Sequence, residues 1–144
     1  MITNILLPTD GTEFCDKAVK YGVALAKQVG AKVTGVTVMA PMRQSMQISM
    51  SEPVRNEIAT QRSNHEKLAL ASVIAAAQNA DVPFETVAMQ DEHVYQGILD
   101  AAKTKGCDLI VMASHGRRGV AALMLGSETQ KVMVHSTIPV LVCR

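Results

Sequence analysis

Aromatic residues are scarce in this chain, which has no tryptophan and only 3% Phe, Trp and Tyr together. Proteins that bind nucleic-acid bases by stacking need exposed rings, so the composition argues against a nucleic-acid partner. The same scarcity leaves Val, Ile, Leu, Ala and Met to fill the interior. We therefore expect an aliphatic core.

A strong net charge and a long apolar run are also missing. The 14 basic and 13 acidic residues give a formal charge of +1, too little for a broad field that holds DNA or an anionic membrane. No apolar stretch approaches the ~20 residues that cross a bilayer. The first residues lack the basic and apolar regions of a signal peptide. We expect a cytoplasmic protein that binds no membrane.

Cysteine is rare, with Cys15, Cys107 and Cys143 far apart in the sequence. This spacing matches neither a metal site nor a disulfide framework, which favours reduced and mostly buried thiols. His65, His93 and His135 show no metal-ligand spacing either. We expect each of these three side chains to face solvent.

The 144 residues, 48% of them apolar and 19% charged, fit a single domain over 1–144. Short apolar runs alternate with helical patterns along the chain. They predict strands at 2–8, 33–39, 84–89, 109–113 and 138–143, and helices at 12–29, 53–79, 94–105 and 127–136. The alternation implies an α/β fold with a parallel sheet covered by helices on both faces. The polar, Met-rich segment 40–52 is predicted as a connection.

The last third carries the strongest functional signal. The predicted strand 109–113 ends at Ser114, His115 and Gly116, and a small basic loop then leads to Gly126 and Ser127 at a helix start. A strand, a glycine-bearing loop and a helix N-terminus together present backbone N–H groups to an anion. The alternative is that Gly116 only turns the chain and Ser127 only caps its helix.

These residues resemble the universal stress protein family, whose nucleotide-binding members carry Gly-x2-Gly-x9-Gly-Ser/Thr after the fourth strand. Gly116, Gly126 and Ser127 match the last three motif positions, whereas Ala113 occupies the position of the first glycine. The resemblance covers the whole chain, because the opening and closing strands also look like those of the family. It implies a Rossmann-like sheet of strand order 3-2-1-4-5, with a crevice where strands one and four lie side by side.

The resemblance also implies ATP as ligand, with Mg2+ as a possible companion at Asp10. The implied cofactor-binding residues are Pro8, Thr9, Asp10, Val38, Met112, Ala113, His115, Gly116, Arg117, Gly126, Ser127 and Glu128. In the family, the position of Val38 contacts adenine through its backbone, and that of Met112 borders the base.

Several of these residues have a second interpretation. Asp10 can accept ribose hydroxyls or share a cation, or it can form an Asx turn or cap the next helix. Arg117 can clamp phosphate or belong to a solvated loop. His115 has no partner in the sequence that would make a catalytic pair. Ala113 and Glu128 depart from the family pattern. The methyl group of Ala113 takes up room near the expected phosphate, and the carboxylate of Glu128 would repel it.

We expect an ATP-binding stress-response module with at most slow hydrolysis, since no nucleophile, paired carboxylates or phosphate-loop lysine supports fast phosphoryl transfer. The family's last strand commonly pairs with its twin in a second chain, which implies a homodimer here. The alternative function is a nucleotide-free dimeric interaction protein of the same fold.

Overall fold

A computed structural model describes residues 1–115 and 124–144. In chain order these residues form β1 (Asn4–Pro8), α1 (Glu13–Val29), β2 (Lys32–Met39), α2 (Gln44–Ser49), α3 (Glu52–Ala80), β3 (Phe84–Gln90), α4 (Val94–Thr104), β4 (Leu109–Ala113), α5 (Ser127–His135) and β5 (Val140–Cys143).

The five strands form one parallel sheet in the order β3-β2-β1-β4-β5. Ile5 of β1 pairs with Val33 on one side and with Leu109 on the other. β1 is therefore the central strand, and all five of its residues are buried. The strand order implied by the family resemblance is confirmed.

The core has two layers because successive side chains of a strand point to opposite faces of the sheet. Ile5 and Leu7 pack with α1 and α3 on one face, whereas Leu6 packs with α4 and α5 on the other. Within the described ranges, every side chain that is fully buried is aliphatic or a threonine. The expectation of an aliphatic core is confirmed. None of the helices in these ranges is long and apolar enough to cross a membrane.

The differences from the predicted elements lie at their ends and in one connection. β1 begins at Asn4 rather than at residue 2, because the Thr3 N–H donates to the Asp108 carboxylate (2.9 Å) and not to a neighbouring strand. β5 begins at Val140, after Pro139. The connection 40–52 contains the short helix α2, which has no buried residue.

Candidate functional site

A crevice opens at the carboxyl ends of β1 and β4. The chain leaves β1 towards β2 and leaves β4 towards β5, so the two connections diverge and leave a gap between them, as at other switch points of parallel sheets. The cavity has a volume of about 700 Å³. This lies within the roughly 300–1,000 Å³ of sites that hold small organic ligands.

The structure brings together every predicted site residue that it describes. The crevice is lined by Pro8, Thr9, Asp10, Val38, Met112, Ala113, His115, Gly126, Ser127 and Glu128. Gly116 and Arg117 lie outside the described residues. The lining also includes residues that the sequence did not single out, namely Cys15, Val36, Thr37, His65, Val94, Ile98, Met124, Leu125, Thr129 and Gln130.

The turn between β1 and α1 is fixed by the Asp10 side chain. Its Oδ1 accepts hydrogen bonds from the Thr12 N–H (2.9 Å), the Thr12 hydroxyl (2.6 Å) and the Cys15 thiol (3.2 Å). The bond to the N–H two residues on is an Asx turn, one of the alternatives left open by the sequence. Asp10 is therefore a structural residue of the crevice wall, whatever else it contacts.

Gly11 seats this turn against α3. Its φ of +80° lies in the left-handed region, and a Cβ at this position would lie 2.8 Å from the Ala69 Cα. Backbone and helix thus approach more closely than any other residue type allows. The contact fixes the distance between the β1 end of the crevice and α3.

The turn between β4 and α5 is held by backbone carbonyls at the end of β4. The Gly126 N–H donates to the Ser114 carbonyl (2.7 Å), and the Thr129 hydroxyl donates to the Ala113 carbonyl (3.0 Å). A Cβ on residue 126 would lie 3.1 Å from that Ser114 oxygen. The absence of a side chain therefore favours the close packing of the helix start on the strand end, and the N–H of Gly126 is already used.

The amides that α5 offers to a ligand are those that follow Gly126. The first N–H of α5 with an acceptor one turn back is that of Gln130, which donates to the Gly126 carbonyl (3.0 Å). The N–H groups of Ser127, Glu128 and Thr129 precede it, and the N-cap residue, Gly126, makes no side-chain bond to them. These are the orphan donors of a helix N-terminus, where the helix dipole also favours an anion.

Ala113 fits its position as the last residue of β4. It is buried, and among the described non-glycine residues only Asp81 has a positive φ. The backbone at residue 113 thus needs no glycine.

Glu128 is directed towards α4. Its Oε2 accepts the Tyr95 N–H (2.9 Å) in the first turn of that helix, and its Oε1 pairs with the Lys131 ammonium (3.1 Å). The carboxylate therefore satisfies a backbone donor of α4, and Lys131 offsets part of its charge.

His115 presents an unsatisfied polar atom. Its Nδ1 lies 2.9 Å from the Ser114 hydroxyl, whereas its Nε2 is buried and has no hydrogen-bond partner among the described residues. When the hydroxyl donates to Nδ1, Nε2 carries the proton. An oxygen of a bound ligand would satisfy this buried donor.

Cys15 lies in the same wall but is a poor nucleophile. Burial raises the pKa of its thiol to about 11, and the neighbouring Asp10 charge acts in the same direction. Because the thiolate is the reactive form, Cys15 stays a neutral donor to Asp10. Its contribution is to hold the turn.

The prediction that the His65 side chain faces solvent is wrong. His93 and His135 are exposed, as expected, but His65 is half-buried and lines the crevice from α3. No local pattern indicates this position for His65, because α3 follows β2 by more than ten residues and only the packing of the helix brings the side chain to the site.

A metal site made by the protein alone is not present in the described part of the chain, where no three His, Cys, Asp or Glu side chains cluster. A cation in the crevice would need most of its ligands from a bound molecule.

Comparisons with known proteins agree on one family. The sequence profile of the universal stress protein family matches residues 1–144. A universal stress protein of Thermus aquaticus is 31% identical over 144 residues, which cover 100% of both chains. The structure of the universal stress protein UspA from Lactobacillus plantarum is similar with a TM-score of 0.80 and 26% identity, covering 99% of this chain and 98% of that one.

Two further solved structures with the same fold contain nucleotides. One is a universal stress protein in complex with cAMP, with a TM-score of 0.74, 20% identity and coverage of 99% of this chain and 97% of that one. The other is a universal stress protein from Archaeoglobus fulgidus in complex with dAMP, with a TM-score of 0.67, 14% identity and coverage of 100% and 98%. At these identities the likeness concerns the fold.

Proposed function

The chain belongs to the universal stress protein family, and we propose that it is an ATP-binding stress-response module whose 144 residues act as one domain. The observation that carries the proposal is that the helix N-terminus of α5 and the buried His115 Nε2, which has no hydrogen-bond partner among the described residues, both border the crevice beside β4. A buried donor without an acceptor costs free energy, and a phosphate group supplies several acceptors to such donors and to the first amides of a helix.

The triphosphate would lie at the start of α5. The N–H groups of Ser127, Glu128 and Thr129 donate to its oxygens, the Ser127 hydroxyl can add a further bond, and His115 donates from the β4 side. Gly126 contributes by allowing α5 to start close to β4. Gly116 and Arg117 belong to the proposal through the family motif.

The nucleoside would occupy the side of the crevice towards β2. Val36 and Val38 supply an apolar wall there, and Met112 extends the apolar lining from β4, which suits a purine. That two proteins of the same fold hold cAMP and dAMP supports adenine as the base. Pro8, Thr9 and Asp10 would lie next to the sugar.

Mg2+ would be bound mainly by phosphate oxygens. Asp10 is the protein group proposed to share it, and Oδ1 of Asp10 already accepts three hydrogen bonds. The Glu128 carboxylate is bound to α4 and Lys131, so it does not replace Asp10 in this role. We therefore expect Mg2+ to strengthen ATP binding and to leave adenosine binding unchanged.

Hydrolysis of bound ATP is proposed to be slow at most. In the described part of the crevice the Cys15 thiol stays neutral. Of the carboxylates that line it, Asp10 accepts three hydrogen bonds from the β1 turn and Glu128 is bound to α4 and Lys131. Phosphoryl transfer depends on groups positioned to activate water and on charge stabilisation.

A homodimer through β5 and a cytoplasmic location complete the proposal. β5 is an edge strand of the sheet, with an apolar and β-branched sequence that favours pairing. The three free cysteines suit a reducing compartment.

The test is calorimetric titration of the Ser127→Pro and Ser127→Ala variants with Mg-ATP, AMP and adenosine. Proline is tolerated at the first position of a helix and removes the N–H, whereas alanine removes only the hydroxyl. Residue 126 has a ψ of 148°, the conformation that a following proline prefers. We expect Ser127→Pro to weaken Mg-ATP binding by roughly tenfold or more and adenosine binding little. Ser127→Ala should weaken ATP binding less.

Two results of this titration would contradict the proposal. Failure of the unaltered protein to bind ATP or AMP up to millimolar concentration would reject the nucleotide site and favour the alternative function, a nucleotide-free dimeric interaction protein. Equal ATP affinity in the unaltered protein and in a folded Ser127→Pro variant would reject the placement of the phosphates at α5.

A further inference from the structure

We infer that His65 is a ribose-contacting residue of this site, which makes α3 part of the nucleotide-binding machinery. The inference rests on the proposed nucleotide function and goes further by assigning recognition of the sugar. His65 is half-buried and belongs to the crevice wall, although the sequence predicted a solvent-facing side chain.

The fold places His65 above the ends of the strands. α3 connects the parallel strands β2 and β3, so it starts near their carboxyl ends and runs back along the sheet. Ala69 touches the Gly11 turn, and His65 is one helical turn earlier on the same face, about 5–6 Å further towards the open end of the crevice. The imidazole therefore borders the β1 turn that carries Asp10.

This position belongs to the nucleoside half of the crevice. α3 packs against α1, β2 and β3, whereas α5, with the proposed phosphate donors, packs against α4 and β5. His65 and the α5 amides thus approach the cavity from opposite sides. A ligand whose phosphates lie at α5 and whose base lies along β2 brings its sugar past the β1 turn.

Successive residues of β2 alternate between the faces of the sheet, so Val36 and Val38 point towards α4, and the Thr37 hydroxyl lies on the α3 side of the crevice. Asp10 Oδ1 already accepts three hydrogen bonds. His65 adds to this side a ring that can both pack on a sugar and hydrogen-bond to it. A neutral imidazole has one donor and one acceptor, and a ribose hydroxyl also donates and accepts. A half-buried ring can cover the sugar with its carbon face while one nitrogen reaches a hydroxyl.

The experiment compares ATP with 2′-deoxy-ATP and 3′-deoxy-ATP by calorimetry on the unaltered protein, His65→Ala, His65→Gln and the control Asn64→Ala. Asn64 is exposed and adjacent to His65 on the same helix. We expect the unaltered protein to lose about three- to tenfold in affinity for one deoxy analogue, the effect of a single hydrogen bond. His65→Ala should bind ATP that much more weakly and bind ATP and the analogue equally. His65→Gln, which keeps a donor and an acceptor, should restore part of the preference, and Asn64→Ala should behave like the unaltered protein.

Two results would overturn the inference while leaving the proposed function intact. One is ATP binding that does not distinguish either deoxy analogue, and the other is an unchanged preference in His65→Ala. If the unaltered protein binds no adenine nucleotide at all, the proposed function fails first and the inference fails with it. Thermal unfolding of each variant confirms that the mutated proteins are folded.

Discussion

Cys15 illustrates how one buried side chain can fix the geometry of a loop. Its thiol donates to Asp10 Oδ1 beside two donors from Thr12, so three donors from the start of α1 hold a single carboxylate oxygen. The carboxylate can accept all three only while the thiol is protonated. The local structure of the crevice wall is therefore linked to the protonation of Cys15.

We predict a loss of stability at alkaline pH that depends on Cys15. Burial raises the pKa of this thiol from 9.0 to about 11 in the folded protein, so the unfolded chain loses the proton first. The stabilisation is complete below pH 9 and is lost as the pH rises towards 11. Between pH 8 and pH 10 the loss amounts to about 1.3 kcal/mol.

Urea unfolding of the unaltered protein and of Cys15→Ala at both pH values measures this effect. The other alkaline-titrating groups are common to both proteins and cancel in the comparison. Cys15→Ala should lose about 1.3 kcal/mol less than the unaltered protein. Equal losses in the two proteins would show that Cys15 ionises as readily in the folded state as in the unfolded chain.

At the scale of elements, the crevice depends on how closely turns approach helices. The turn after β1 touches α3 through Gly11, and the turn before α5 touches the end of β4 through Gly126. At both positions glycine has no side chain, so the backbone of the turn packs directly against the backbone of its neighbour. These contacts hold the two turns that border the cavity, so we expect a substitution in either turn to alter the cavity as well as the stability of the fold.

Gly11→Ala and Gly30→Ala separate backbone strain from helix contact. Both glycines have positive φ, +80° and +73°, but a Cβ at residue 30 meets nothing within 4 Å, whereas one at residue 11 meets the Ala69 Cα at 2.8 Å. We expect Gly30→Ala to cost about 1 kcal/mol of unfolding free energy, and Gly11→Ala at least about 1 kcal/mol more.

Denaturant unfolding and ATP titration of these two variants provide the check. Gly11→Ala should also weaken nucleotide binding, because it displaces α3 and with it His65, whereas Gly30→Ala should not. Equal costs of the two substitutions would mean that α3 yields freely at this contact.

At the scale of the whole molecule, β5 is the sheet edge through which we propose that the chain pairs with a second copy. The Pro139 and Cys143 carbonyls accept hydrogen bonds from Ile110 and Ser114, so alternate residues of β5 direct their backbone groups towards β4. Val140 and Val142, which lie between them, direct their backbone groups to the open edge. An edge of this kind is a template for pairing with another strand.

If the proposed dimer forms through β5, Val142→Pro should convert it to monomers. Proline removes the outward N–H that would bond the partner strand, and Val142→Ala keeps it. We expect light scattering to give a mass of two chains for the unaltered protein and for Val142→Ala, and of one chain for Val142→Pro. A mass of one chain for the unaltered protein would contradict the dimer through β5.

The sequence by itself determined the fold and the residues at the ends of β1 and β4. Buried parallel strands appear as continuous apolar runs, and the residues that follow them lie at the same edge of the sheet. The resemblance to the family adds that strands one and four are neighbours, which predicts one crevice for Asp10, His115 and Ser127. The strand order came from the resemblance to the family, since no local pattern records which strands are neighbours.

Only the tertiary structure decided what each of these groups contacts. The Glu128 carboxylate accepts a hydrogen bond from α4, the Gly126 N–H donates to the Ser114 carbonyl, and His65 lines the crevice from α3. These contacts either connect residues that are far apart in the sequence or involve a residue of a helix whose sequence pattern indicates a solvent-exposed position. Their partners follow from helix packing and turn geometry, which propensity and periodicity do not record.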